Sequence, residues 1–186
     1  MAASEPSSSS GPPSGGAHLW PDADALRARI DEEIGRAERY GTPLSLLFLV
    51  VENLDEIARE HGDELRGQTL DYIAEALSRE LRRFDRVAMP SPSELAILLP
   101  GADGPRGEMV ARRVLDRLRA IKIEAADRRE PLRISLGLAT WRAESTAGLL
   151  LGRARSAALR AAGGDPAAVG AQLPGPVAGE PPGSPS

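Results

Sequence analysis

Apolar residues at Leu26, Ile30, Ile34 and Ala37 form one helical stripe, and the spacing predicts a helix from Pro21 to about Tyr40. Asp22 and Asp24 suit its positive end, and Gly41-Thr42-Pro43 stops it. The run Leu44–Val51 (LSLLFLVV) is apolar on both faces, as a strand in the middle of a sheet is. Asn53 stands where it would cap a short helix with Leu54, Ile57 and His61 on one side, broken by Gly62-Asp63. Leu70, Ile73, Leu77 and Leu81 then predict a longer helix, Asp63 to about Arg83. A short strand follows, then a tight connection at Pro90-Ser91-Pro92-Ser93, then a buried strand from Glu94 to Leu99 closed by Pro100. Beyond a turn at residues 101–105, a helix from Pro105 to about Ala120 places Val110, Val114, Leu118 and Ile121 inside. Alternation at Leu132, Ile134, Leu136 and Leu138 predicts a strand ending near Ala139, and a last helix runs from about Thr146 to Ala162 before Gly163-Gly164. Without the first and last helices the order is β-α-β-β-α-β, an α+β, ferredoxin-like layout with helices covering one face of an antiparallel sheet.

Composition sharpens this outline. Residues 1–18 and 165–186 are dominated by Ser, Pro, Gly and Ala, so both are expected to be disordered, flanking one domain at 19–164. Aromatic residues are only 3% of the chain, so Leu, Ile, Val and Ala have to fill the core. The absence of cysteine excludes disulfides, thiolate metal sites and cysteine nucleophiles. His18 and His61 are far apart and do not by themselves indicate a zinc site; His61 is expected as a partly buried interface residue. A net charge of −4 gives no general case for nucleic-acid binding, and no apolar run is long enough for membrane insertion. With no basic-then-apolar leader at the N-terminus, a cytoplasmic location is expected.

The chemistry lies around the predicted hairpin. Arg82 and Asp85 form an R-x-x-D motif, followed by a short strand, then Ser91-Pro92-Ser93-Glu94-Leu95, then an apolar strand ending in Pro100. This run resembles the signature hairpin of GGDEF domains, the diguanylate cyclases that condense two GTP into cyclic di-GMP. There the order is R-x-x-D, a strand, a Gly-Gly-Asp/Glu-Glu-Phe turn and an apolar strand closed by Pro. The resemblance extends over Leu19 to Gly164 and implies a nucleotidyl-cyclase palm. Only Glu94 keeps a signature letter, and Leu19-Trp20-Pro21-Asp22-Ala23 stands where the family has L-T-G-L-x-N-R.

The resemblance also implies what is missing. In the family, acids at the end of the first strand and in the signature turn hold two metal ions on the GTP phosphates. Here Val50 takes the first position, with Glu52 two residues on, and Ser93 takes the second. Neither Val50 nor a serine hydroxyl replaces a carboxylate for Mg²⁺. The guanine-reading Asn and Asp fall on Ala58 and Gly67, and a phosphate-binding Lys falls on Ala162. The resemblance therefore implies a catalytically degenerate domain with no metal or other cofactor, in which Glu94 is a strand-start carboxylate facing solvent. Arg82 and Asp85 occupy the family's inhibitory site for cyclic di-GMP, and Arg113 falls where an assisting arginine stands on the next helix. The chemistry suits that ligand, because an arginine fork pairs with phosphate or with a guanine edge, and a carboxylate accepts from guanine N1 and N2. Two function classes follow: a cyclic di-GMP receptor, or a pseudo-enzyme that binds a protein partner or itself without nucleotide. A third, residual GTP binding or cyclase activity, would rest on Glu52 and Glu94.

Overall fold

Asp22 starts the first element, its carboxylate accepting the Ala25 N–H at 2.9 Å. Helix α1 (Ala23–Tyr40) runs from there to Gly41, left-handed at φ 61°. The computed structural model describes residues 20–125, 128–143 and 145–164, so the expectations for residues 1–18 and 165–186 lie outside the described residues. After α1 come β1 (Leu44–Val51), α2 (Leu54–His61), α3 (Asp63–Glu80), β2 (Arg86–Ser91), β3 (Glu94–Pro100) and α4 (Gly104–Arg119). The chain continues through β4 (Lys122–Ala125), β5 (Arg128–Pro131), β6 (Ile134–Thr140) and α5 (Ala147–Ala162).

The main sheet has the order β2-β3-β1-β6, every neighbour antiparallel. β1 is central, and the uniformly apolar run that predicted this is buried on both sides. On one face Leu47, Leu49, Ile97 and Leu136 meet α2, α3 and α4 through Ile57, Ile73, Leu77, Val114 and Leu118. On the other, Leu46, Phe48, Ala96 and Leu98 meet α1 and α5 through Leu26, Ile30, Leu150, Ala154 and Ala158. One covered face thus describes α2 to α4 alone; α1 and α5 cover the second, because an apolar run such as β1 cannot leave either side to water.

Several local expectations are corrected. α3 stops at Glu80, not Arg83, because the Arg82 N–H goes to the Asp85 carboxylate at 2.7 Å instead of continuing the helical ladder. Asn53 precedes α2 without a capping bond. Its side chain instead donates to the Pro131 carbonyl at 3.1 Å and accepts from the Arg133 N–H at 2.9 Å. Pro90 and Ser91 belong to β2, and the turn is only Pro92-Ser93. A register shift between Ala88 and Ser91 accommodates Pro90 on this edge strand. The β4–β5 hairpin was not expected at all: its strands are short and charged, and Ile123 is its buried apolar anchor.

Candidate functional site

The R-x-x-D motif folds into a turn between α3 and β2. Asp85 is bound twice to Arg82, its side chain by the Arg82 N–H at 2.7 Å and its own N–H donating to the Arg82 carbonyl at 3.0 Å. The Arg82 guanidinium makes no hydrogen bond or ion pair with the described residues and is exposed. The two side chains are therefore not a mutually satisfied ion pair. A second contact builds the neighbourhood: the Met89 N–H donates to the Pro21 carbonyl at 2.8 Å, which draws Trp20 toward α3. Trp20, Leu77, Leu81, Arg82, Asp85 and Val87 line an open groove of about 360 Å³.

Arg113 is not in that lining. It lies on α4 and is held by Glu80, donating to the carboxylate at 3.1 Å and to the Glu80 carbonyl at 2.6 Å. Arg117 binds the other oxygen of the same carboxylate at 2.9 Å. Hydrogen bonding from Arg117, then the charges of Arg117 and Arg113, hold the Glu80 carboxyl below its ordinary 4.5 against the opposing effect of burial. A depressed carboxyl stabilises the fold above its unfolded value and loses that contribution as pH falls through its folded value. Glu80→Gln is accordingly expected to lower the Tm at pH 7. The gap to the parent protein closes as the pH drops below 4.5, which thermal melts across an acid series would show.

The second group of residues gathers at the end of β1. Val50 pairs in register with Glu94 of β3 and with Ser135 of β6, and the Val51 N–H donates to the Ser93 carbonyl at 2.9 Å. The strand end and the turn are thus side by side, as the resemblance requires. Glu94 does not face solvent. Its side chain is 13% exposed, and one oxygen accepts from Arg155 Nε at 3.0 Å and from a terminal nitrogen at 2.8 Å. Glu52 accepts a hydrogen bond from Ser135, and Arg66 of α3 donates to the Pro92 carbonyl at 2.9 Å, anchoring the turn from outside. Ser91 pairs with Glu94 across the turn, and Leu95 is buried beneath it. Ala58 and Gly67 sit half-buried on α2 and α3, and Ala162 is exposed at the end of α5. Sequence reasoning missed Arg155, Arg66 and Glu80, whose partners lie 61, 26 and 33 to 37 residues away, beyond any local pattern.

Residues 21–164 match the family described as "Diguanylate cyclase, GGDEF domain". The diguanylate cyclase DgcP of Pseudomonas aeruginosa is 32% identical over 100 residues, which is 54% of this chain and 14% of that protein. Diguanylate cyclase SiaD of the same organism, solved in complex with its activator SiaC, superposes with a TM-score of 0.72 at 26% identity over 78% of this chain and 56% of that one. The GGDEF domain of DgcB from Caulobacter crescentus, solved with c-di-GMP, shares the fold at a TM-score of 0.72 and 16% identity, covering 77% of this chain and 86% of that one. The chain spans less than two thirds of the length of DgcP and of SiaD. Among the described residues, no helix is long and apolar enough to cross a membrane.

Proposed function

The chain belongs to the diguanylate cyclase GGDEF family, and we propose that it is a catalytically silent member that binds cyclic di-GMP beside Arg82 and Asp85. The observation that carries the proposal is the Arg82 guanidinium, without a partner among the described residues, next to an oriented carboxylate at the rim of an open groove. A free planar cation has no internal bond to break before meeting a phosphate or a guanine edge. Asp85, fixed by the Arg82 backbone, keeps its second oxygen for a donor on the base. Trp20 adds an aromatic surface in the same groove.

Catalytic silence rests on the other cluster. The two Mg²⁺ ions that the family's chemistry uses do not fit the residues present. Val50 offers no donor, Ser93 turns its carbonyl to the Val51 N–H, and the Glu94 carboxylate is already matched by the Arg155 cation. A guanidinium cannot bring the phosphate oxygens of a substrate onto Glu94 as a shared metal would. Ala58 and Gly67 carry no group to hydrogen-bond guanine.

Calorimetric titration of the purified chain with cyclic di-GMP, and separately with GTP and Mg²⁺, tests both parts. Saturable heat is expected from cyclic di-GMP alone, and chromatography of the GTP mixture is expected to show no cyclic product. Silence toward both ligands at tens of micromolar protein would leave a nucleotide-independent interaction domain in its place. Cyclic di-GMP formed from GTP, and lost in Glu94→Ala, would overturn the proposed inactivity.

A further inference from the structure

The end of the β4–β5 hairpin and the residues after it are tied to the start of α2 by side-chain contacts. Asn53 holds Pro131 and Arg133 at one end, and Arg133 pairs with Glu56 one helical turn on. This alignment carries Glu130 of β5 to Glu60 and His61 at the far end of α2. One ligand atom from each of the three residues lies within 4.8 Å of the other two. We propose that Glu60, His61 and Glu130 bind a divalent transition metal, with zinc the best match, and that the ion ties the hairpin to α2.

Two independent features point to a ligand. His61 Nε2 is shielded from solvent yet has no hydrogen-bond partner. Its nearest acid oxygen, on Glu60, is 3.8 Å away, too far for a hydrogen bond. An orphaned ring nitrogen under cover is costly, and an ion held between it and its neighbours removes that cost. The two carboxylates are also otherwise unengaged: among the described residues neither Glu60 nor Glu130 has an ion pair with Lys or Arg.

The donor set selects the ion. One neutral imidazole with two carboxylates balances a dication, and imidazole favours zinc over magnesium or calcium. Zinc bonds of about 2.0 to 2.2 Å put tetrahedral ligand atoms roughly 3.3 Å apart, leaving a fourth position for water. Glu60 already lies 3.8 Å from His61 Nε2, and closing the remaining separations, up to 4.8 Å, asks for rotation of both carboxylate side chains. The site is separate from the β1 end: it lies at the opposite end of α2, about 10 Å along the axis from Leu54. Its role is structural. A hairpin of two four-residue strands is marginal alone, and a metal bridge adds a fixed point beyond Ile123.

Tag-free protein equilibrated with Zn²⁺ and then desalted tests this. About one zinc per chain is expected by elemental analysis, with a Tm raised by several degrees and returned by EDTA. His61→Ala and Glu130→Gln are each expected to bind zinc at least tenfold more weakly and to lose the Tm response, while keeping the parental circular dichroism. His18→Ala, the only other histidine variant available, is expected to retain both. No zinc retained by the parent protein, or parental affinity in both His61→Ala and Glu130→Gln, overturns the site. A site filled only in His18-containing protein overturns it equally.

Discussion

Gly137→Ala is expected to destabilise the protein by about 3 kcal/mol or more, read as a large fall in the urea midpoint of the far-ultraviolet signal. Gly137 lies in β6 directly beneath α5. A Cβ there would stand 2.2 Å from the Ala154 carbonyl oxygen, 2.3 Å from the Ala158 nitrogen and 2.8 Å from the Ala157 carbonyl carbon. All three are backbone atoms of a helix, so no side chain can rotate away. α5 would have to lift from the sheet, opening the layer that Ala154, Ala157 and Ala158 close against β1 and β6. Against a typical total of roughly 5 to 15 kcal/mol, that loss leaves a marginal fold. Gly152 is the control. It lies in the same helix with open space around its Cβ position, and Gly152→Ala is expected to gain up to about 1 kcal/mol from helix propensity. Equal midpoints for Gly137→Ala and the parent would refute the tight seat of α5.

The second large effect is on ligand binding. Arg82→Ala is expected to weaken cyclic di-GMP tenfold to a hundredfold, about 1.4 to 2.7 kcal/mol, as the loss of a charge-assisted fork to phosphate or guanine does. Stability should move by under about 0.5 kcal/mol, because the exposed guanidinium has no partner among the described residues. Arg113→Ala is expected to weaken binding less. Arg113 has to leave Glu80, whose carboxylate and carbonyl it already bonds, before it can reach a ligand. An unchanged Kd for Arg82→Ala would remove the groove from consideration and transfer any observed binding elsewhere.

Both effects depend on contacts made at long range in sequence, and this marks where sequence reasoning stops. The eleven elements among the described residues divide on that line. β1 was legible because an unbroken apolar run has one stable place, the middle of a covered sheet. α1 was legible from its stripe and from the stop at Gly41, while Asp22, expected inside the first turn of a helix opening at Pro21, is the N-cap of a helix that starts at Ala23. The β4–β5 hairpin was not legible, because short strands with five charged residues and Ile123 carry too little periodicity to separate a strand from a loop. Asn53 misled in an instructive way: a residue suited to capping was drawn to Pro131 and Arg133 once tertiary folding brought them near.

The candidate sites divide the same way. Arg82 and Asp85 were singled out by the R-x-x-D resemblance, and the structure joins them through the Arg82 backbone N–H rather than through its guanidinium. That Arg82 stays unengaged while Arg113 is committed to Glu80 follows from α4 crossing the end of α3. The sequence alone established the β-α-β-β-α-β core with its two added helices and the apolar stripes, because these follow from residue identity and local periodicity, but it did not reveal the β4–β5 hairpin. Only the tertiary structure decided that Arg155 neutralises Glu94, that α5 rests on bare backbone at Gly137 and that His61 meets two carboxylates. Each of these joins segments that chain connectivity leaves far apart, and only packing of the two apolar faces of one sheet brings them within reach.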